Sequence, residues 1–309
     1  MRRPSCRAID SVVSTFLVVN PVAGRGRAFA LLPTVREAFA RAGVALTVLV
    51  TERPGHATAL AQATPGDATI LAMGGDGTVH EVARACIDSG RTLGVVPVGS
   101  GDDFAFASGL ARGDVEAAVR VALEGHVRLV DTGVCNGEPF VNAAGIGFDA
   151  EVSARMRSAP APLTGFGAYL WGVAVALSQL ASVPMRVWGT DRDGAERLLL
   201  DGPSLLTSAQ NGPRTGGSFL FAPLADVADG SLDVVIAKRV GRLGTLSLLP
   251  KALRGRHLSD PRVAQARVVA VRIEAASPRA WHTDGEVFSP TSSFSISVRP
   301  RSLRVLAPL

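Results

Sequence analysis

The chain reads as an α/β domain followed by an antiparallel β-sandwich, and three observations predict it. Strand-length apolar runs alternate with helical patterns four times over the first 125 residues, the rhythm of a parallel sheet covered on both faces. Three of those runs open directly into glycine-rich turns, on the side where open α/β sheets bind ligands. After Glu124 the texture changes to short alternating runs separated by turn signals such as Asn136-Gly137 and Asp193-Gly194, the pattern of an antiparallel sandwich.

Residues 1 to about 12 read as a loose leader. Asp10 interrupts the basic start before an apolar core can form, so no signal peptide is expected. Thr15 to Asn20 is a strand, and Asn20-Pro21-Val22-Ala23-Gly24-Arg25-Gly26 turns it into a helix over about Ala28 to Ala42. The turn has the strand–turn–helix context of a phosphate loop but lacks the Gly-Lys-Ser/Thr of the Walker pattern. Ala45 to Thr51 is the next strand, and Thr51 to Ala57 leads into a short helix on which His56 is read as a loop or cap residue.

The stretch Ala68 to Ser89 organises the rest. Ala68 to Met73 is an apolar strand, Gly74-Gly75-Asp76-Gly77-Thr78 is a turn, and Val79, Val82, Ala83, Cys86 and Ile87 fall on one face of a helix. Free N–H groups at such a helix start face an anionic ligand, and glycines let the backbone approach it. A carboxylate there repels phosphate unless it holds a cation, so Asp76 points to Mg²⁺ bridging acid and phosphates. A tight turn with a capping acid would use the same residues without a ligand. Thr92 to Val98 opens into a third turn, Gly99-Ser100-Gly101-Asp102-Asp103, and Asp114 caps a helix reaching about Glu124.

In the second half His126 to Val134 and Glu138 to Asn142 form a hairpin. Met185 to Trp188, Arg197 to Leu200, Ser204 to Ala209, Leu232 to Lys238, Val268 to Ala275 and Phe294 to Val298 read as further strands. The expected division is residues 1–130 for the α/β domain and 131–299 for the sandwich, with 300–309 returning to the first. Leu163 to Val183 holds no charge over a length that approaches a bilayer span. It also fits a helix lining an apolar cleft or lying in an interface.

Nearly half of the 309 residues are hydrophobic and 19% are charged, which excludes a disordered chain. A net charge of +5 and a pI near 9.8 suit an acidic partner, an anionic membrane surface or a phosphorylated substrate. One tyrosine and no basic–aromatic alternation argue against nucleic acid. Three cysteines without paired spacing argue against a disulfide framework or a zinc site, and for a reducing, cytoplasmic compartment. A homodimer is compatible with the sequence.

Taken in order, Asn20-Pro21-x-x-Gly24, Gly-Gly-Asp-Gly-Thr with Glu81, and Pro97-x-Gly99-Ser100-Gly101 resemble the diacylglycerol kinase catalytic-domain family, which includes bacterial lipid kinases and the sphingosine and ceramide kinases. Asn142 to Asp149 resembles the family's interdomain segment. Asn211-Gly212, Gly216-Gly217 through Ala222-Pro223, and Asp229-Gly230-x-Leu232-Asp233 resemble its sandwich signature, and Asp284-Gly285-Glu286 its acidic motif.

The resemblance implies ATP-dependent, Mg²⁺-assisted phosphorylation of a lipid hydroxyl, of diacylglycerol or sphingoid type, in an interdomain cleft. It places Asn20, Pro21, Gly24, Thr51, Gly74, Gly75, Asp76, Gly77, Thr78, Glu81, Gly99 and Ser100 around ATP. It puts Mg²⁺ on Asp76, and a structural Mg²⁺ on Asp229 with backbone oxygens of Asp226 and Ser231. Glu286 becomes the general base, near Asp284. The chain departs from the family at Asp102-Asp103, where bacterial members usually carry Asn-Asp. Asp102 trades two N–H donors for a negative charge. A soluble kinase related to the NAD kinases shares the Gly-Gly-Asp-Gly-Thr turn. An inactive lipid- or nucleotide-binding relic is the reading that Asp102 raises. For the lipid kinase, peripheral contact with an anionic membrane is expected, and the apolar stretch near Trp171 would help admit an acyl chain.

Overall fold

The computed structural model describes residues 14–156, 158–163, 166–217 and 219–309; the expected leader lies outside them. The first part runs β1 (Thr15–Val19), α1 (Arg27–Arg41), β2 (Leu46–Val50), α2 (His56–Gln62), β3 (Thr69–Gly74), α3 (Asp76–Cys86), β4 (Thr92–Pro97), α4 (Asp103–Ala107) and α5 (Val115–Glu124). β1 pairs in parallel with β2 and β3, and β3 with β4. β4 is buried at every position, which is why it reads as an unbroken apolar run. Leu32, Val35 and Phe39 put one stripe of α1 into the core, as Val79, Val82, Ala83 and Cys86 do for α3. The Asp114 side chain accepts from Ala117 N at 2.9 Å and caps α5, a contact worth about 1 kcal/mol.

The second part runs β5 (His126–Cys135), β6 (Glu138–Phe140), β7 (Ala143–Gly147), α6 (Phe148–Met156), α7 (Phe166–Ser178), β8 (Val183–Thr190), β9 (Glu196–Gln210), β10 (Leu232–Lys238), α8 (Arg242–Leu253), β11 (Val263–Val268), β12 (Ala270–Thr283) and β13 (Glu286–Ala307). β9 pairs with β8 along its first half and with β7 and β10 along its second. β12 likewise pairs first with β8 and then with β7. Sharing two long strands folds the antiparallel part back over a core that includes Ile146, Met185, Val187, Ile273 and Phe294. β13 pairs with β12 and β5, then meets β4 in parallel at Arg304 and Val305. One path of pairing therefore joins both halves.

The structure sharpens two sequence readings. The second half is not strands alone: α6, α7 and α8 pack over β9 and β10 around Phe148, Val152, Val173, Leu205 and Leu248. Among the described residues of the uncharged stretch Leu163 to Val183, helix runs over Phe166–Ser178. Among the described residues no helix is long and apolar enough to cross a membrane.

Candidate active site

The turns after β1, β3 and β4 meet because their glycines let backbone touch backbone. Asn20 follows β1; its N–H donates to Met73 O at 3.0 Å and its Nδ2 to Thr78 Oγ1 at 3.3 Å, so it clamps the Gly74–Thr78 turn. A Cβ on Gly99 would stand 2.5 Å from Gly75 Cα, and a Cβ on Gly217 2.8 Å from Gly101 Cα. Gly24, at φ +59°, would run a Cβ into the Val98 carbonyl. Any other residue there would push the turns apart. Thr51 joins this edge, its N–H donating to Val19 O at 2.9 Å.

Glu81 turns elsewhere. Its carboxylate accepts from Gly55 N at 2.9 Å and Ala57 N at 3.0 Å, so it caps α2 and lies behind the turn. His56 accepts from Glu52 N at 3.2 Å through Nδ1, a loop role.

Asp76 opens α3. Its two oxygens accept from Asp102 N at 2.9 Å and Asp103 N at 2.7 Å, which ties the second turn to the third. Burial raises its pKa, aided by the Asp284 charge and opposed by those backbone N–H groups. Asp103 accepts from Gly217 N at 2.8 Å and joins the two halves of the chain. Burial and the neighbouring Asp76 push the Asp103 carboxyl up to about 7. Burial and Asp76 likewise bring Asp102 to about 6. Asp102 Oδ1 accepts from Gly99 N at 3.0 Å, while its Oδ2 is buried without a hydrogen-bond partner.

Three carboxylates that resist ionising together create a demand for positive charge. Among the described residues no cluster of three acids or histidines forms a ready-made metal cage. That fits Mg²⁺ carried on a nucleotide, which takes one or two carboxylates and fills its remaining positions with phosphate and water. Asp76 fits as that carboxylate.

Asp284 is held from four sides. Oδ2 accepts from Val141 N and meets His80 Nδ1, both at 2.8 Å; Oδ1 accepts from Asn142 N at 3.0 Å and Ala143 N at 2.8 Å. Burial works to raise its pKa, but the His80 hydrogen bond and charge and the backbone N–H groups win and lower it. Burial disfavours the charged form of His80, yet its hydrogen bond to Asp284 and the nearby Glu286 carboxylate lift it to about 9. Glu286 sits about half exposed, 3.4 Å from His80 Nε2 and 3.7 Å from Arg84 Nη1.

Asp76, Ser100 and Asp103 line one end of a cavity of about 320 Å³. Phe148, Tyr169, Leu205, Phe219, Phe221 and Leu248 line the rest, so the wall passes from acidic to apolar. Asp149 and His282 also line it. His282 Nδ1 accepts from Gly285 N at 3.0 Å, which leaves the proton on Nε2. That atom lies 3.0 Å from Asp149 Oδ2 but too poorly aligned for a hydrogen bond, and both atoms are buried over Gly145. Sequence reasoning gave no role to His80, Asp149 or His282, although all three lie in or beside the motifs it singled out.

The residues of the second implied metal site are already engaged. Asp229 Oδ1 accepts from Ser231 N at 2.9 Å, and Oδ2 pairs with Arg267 Nη1 at 3.3 Å. Arg192 Nη2 donates to the Asp229 carbonyl and, at 3.0 Å, to Ser231 Oγ. Asp226 Oδ1 accepts from Arg128 at 2.9 Å, and its carbonyl from Asp229 N at 3.3 Å. With Arg267 paired to the Asp229 carboxylate and Arg192 on the Asp229 carbonyl, a divalent ion would compete here with two guanidinium groups, which Asp76 does not face, so this set does not fit Mg²⁺.

Residues 14–135 match the family model of the diacylglycerol kinase catalytic domain. Residues 142–307 match that of the YegS C-terminal NAD kinase beta sandwich-like domain. The chain is 30% identical to a diacylglycerol kinase of Bacillus subtilis, over 87% of this chain and 88% of that one. It is 33% identical to a protein of Chromohalobacter salexigens named "probable lipid kinase YegS-like", over 95% and 93% of the two chains. A crystal structure of a diacylglycerol kinase from Bacillus anthracis superposes with a TM-score of 0.71 at 23% identity, over 95% of this chain and 96% of that one, a likeness of fold. With both models matched in order and relatives aligned over nearly their full length, the chain belongs to the diacylglycerol kinase catalytic-domain family, whose members are lipid kinases.

Proposed function

We propose that this chain transfers the γ-phosphate of ATP to the hydroxyl of a lipid of diacylglycerol or sphingoid type. The observation that carries this reading is the cavity whose wall runs from Asp76, Ser100 and Asp103 to Phe148, Leu205 and Phe221. A ligand with one polar end and a long apolar remainder matches that gradient. Residues 1–130 serve as the nucleotide side and 131–299 as the lipid side of the cleft.

In this reading the backbone N–H groups of the Asn20–Gly24, Gly74–Thr78 and Gly99–Ser100 turns cradle the phosphates. Asp76 would hold Mg²⁺ together with the nucleotide, and the bound ion supplies charge neutralisation on the transferring phosphoryl group. Asp103, through Gly217, holds the two halves in register so that hydroxyl and phosphoryl group meet in line. Glu286, beside His80 and next in sequence to the cavity-lining Gly285, takes the hydroxyl proton. Burial in the apolar wall keeps water from competing for the phosphoryl group.

The enzyme is read as cytoplasmic and peripheral to the membrane. Leu243 and Leu246 of α8 stand exposed beside Arg242, an edge suited to an anionic bilayer. The test is transfer of labelled γ-phosphate from ATP into a total lipid extract with Mg²⁺, comparing wild type with Asp76→Ala and Glu286→Ala. A labelled lipid that disappears in both variants is expected, and its identity names the substrate. Bound ATP with no labelled lipid from any pool would reject the reading.

A further inference from the structure

We propose that Arg192, backed by Arg267, is a built-in cation for the 226–231 turn, so that in this chain the turn takes no metal ion. The inference is independent of which lipid is phosphorylated.

The turn gathers electron-rich groups at one place: the carboxylates of Asp226, Asp229 and Asp233, the Asp229 carbonyl and the Ser231 hydroxyl. Such a gathering needs positive charge, and three arginines from separate strands and turns deliver it. Arg192 stands in the β8–β9 turn, and its guanidinium bridges the Asp229 carbonyl and Ser231 Oγ. Arg267 on β11 spans Asp229 and Asp233, each at 3.3 Å, and donates to Leu224 O at 2.8 Å. Arg128 on β5 takes Asp226. A planar guanidinium offers five donors in a fixed fork, satisfies several oxygens at once, and does not lose its charge at any working pH. A divalent ion entering the same turn would meet two like charges and would have to displace them from its own ligands.

The turn matters beyond itself. Gly230 N donates to Asp131 Oδ2 at 2.6 Å, and Asp131 N to Val227 O at 2.6 Å. The Asp131 carbonyl accepts from Asn211 Nδ2, which also donates to the Val141 carbonyl at 2.7 Å. Val141 N donates in turn to Asp284. Arg192 thus anchors one end of a chain of hydrogen bonds that ends on the floor of the cavity. A guanidinium keeps that anchor in place whatever the free Mg²⁺ concentration.

The experiment uses the full chain without nucleotide. Thermal unfolding is followed in EDTA and in millimolar Mg²⁺, and Mn²⁺ binding by electron paramagnetic resonance, for wild type, Arg192→Ala and Asp229→Asn. An Asp76→Asn background removes the other carboxylate that could hold the probe ion. Wild type is expected to unfold at the same temperature in both media and to bind no Mn²⁺ that Asp229→Asn abolishes. Arg192→Ala is expected to unfold about 2–5 °C lower in EDTA, the scale of losing a charged donor from a chain of this size. It should recover part of that loss in Mg²⁺. Mn²⁺ binding by wild type that Asp229→Asn removes would overturn the proposal. So would an Arg192→Ala chain as stable as wild type in EDTA, or one destabilised equally in both media, since either shows that the arginine does no cation's work. Should Arg192→Ala fail to fold, the wild-type Mn²⁺ titration still decides.

Discussion

His80 Nδ1 lies 2.8 Å from Asp284 Oδ2, joining the helix that follows the Gly-Gly-Asp-Gly-Thr turn to the acidic motif 204 positions later. The same ring presents Nε2 to Glu286 at 3.4 Å. One imidazole therefore sits between both acids of the late motif, with Arg84 the nearby cation that opposes its charging.

This arrangement makes stability depend on pH in a fixed direction. The folded state lifts His80 from 6.5 to about 9, so its stabilising contribution is full below about 6.5 and is lost as pH rises through about 9. That rise corresponds to about 3 kcal/mol. His80→Gln is expected to be less stable than wild type by up to about 3 kcal/mol at about pH 6, with the gap closing by about pH 10. Urea unfolding of both proteins at the two pH values measures it. An equal gap at both would mean that the ring is neutral in the folded protein.

A substitution at Gly77 separates the proposed phosphate binding from folding. A Cβ there meets nothing within 4 Å, unlike those on Gly75 and Gly99, which meet each other's turn. Gly77 also lies inside the first turn of α3, where alanine gains about 0.5–1 kcal/mol in a helix. Gly77→Ala should therefore keep or raise the unfolding temperature while weakening ATP binding by about tenfold or more, because the added methyl fills the space a phosphate needs. Calorimetric titration with MgATP and thermal unfolding report the two effects separately. Unchanged ATP affinity would remove the phosphates from this turn.

On the proposed reading Asp102 brings a charge close to the nucleotide, its Oδ2 buried without a hydrogen-bond partner beside Asp76 and the Gly99 turn. Asp102→Asn keeps the Oδ1 acceptor for Gly99 N and removes the charge. At an effective dielectric of about 20–40 a unit charge some 8 Å from a phosphate costs about 1–2 kcal/mol. The variant should bind MgATP about 5- to 30-fold more tightly. Weaker binding would show instead that the carboxylate helps to hold a cation with Asp76.

Legibility followed sequence distance. The three glycine turns could be read because each lies between a strand and a helix within a few residues, and their glycines are demanded by mutual backbone contact, as at Gly75 and Gly99. The long strands read as fragments because local breakers interrupt them: Gly202 and Pro203 divide β9, and Pro290 and Pro300 divide β13. Helix α8, with the sequence RLGTLSLLPKAL, buries Thr245, Leu248 and Ala252 and carries a proline, so no clean apolar stripe announces it. The Asp149–His282 pair and the reach of Arg192 to the Asp229 turn are made by β-pairing between distant segments. Spacing along the chain carries no trace of either.

The apolar end of the cavity should set chain-length preference without touching the nucleotide. Ala237 on β10 lines it, buried in the cluster with Phe148, Leu205 and Leu248. Ala237→Phe adds a ring to a space of about 320 Å³, at a cost in stability of about 1–3 kcal/mol if neighbours must shift. An acyl chain that runs past Ala237 would then lose its room, while a short-chain analogue would still reach Asp76. The expected result is a KM for long-chain lipid raised about tenfold, with KM for a short-chain lipid and Kd for MgATP unchanged. Each lost methylene contact contributes about 0.8 kcal/mol, so two displaced carbons suffice for that factor. Steady-state kinetics with lipids of two chain lengths in mixed micelles measures it. Equal loss for both lipids would place the acyl chain outside this cavity and leave it to another face of the cleft.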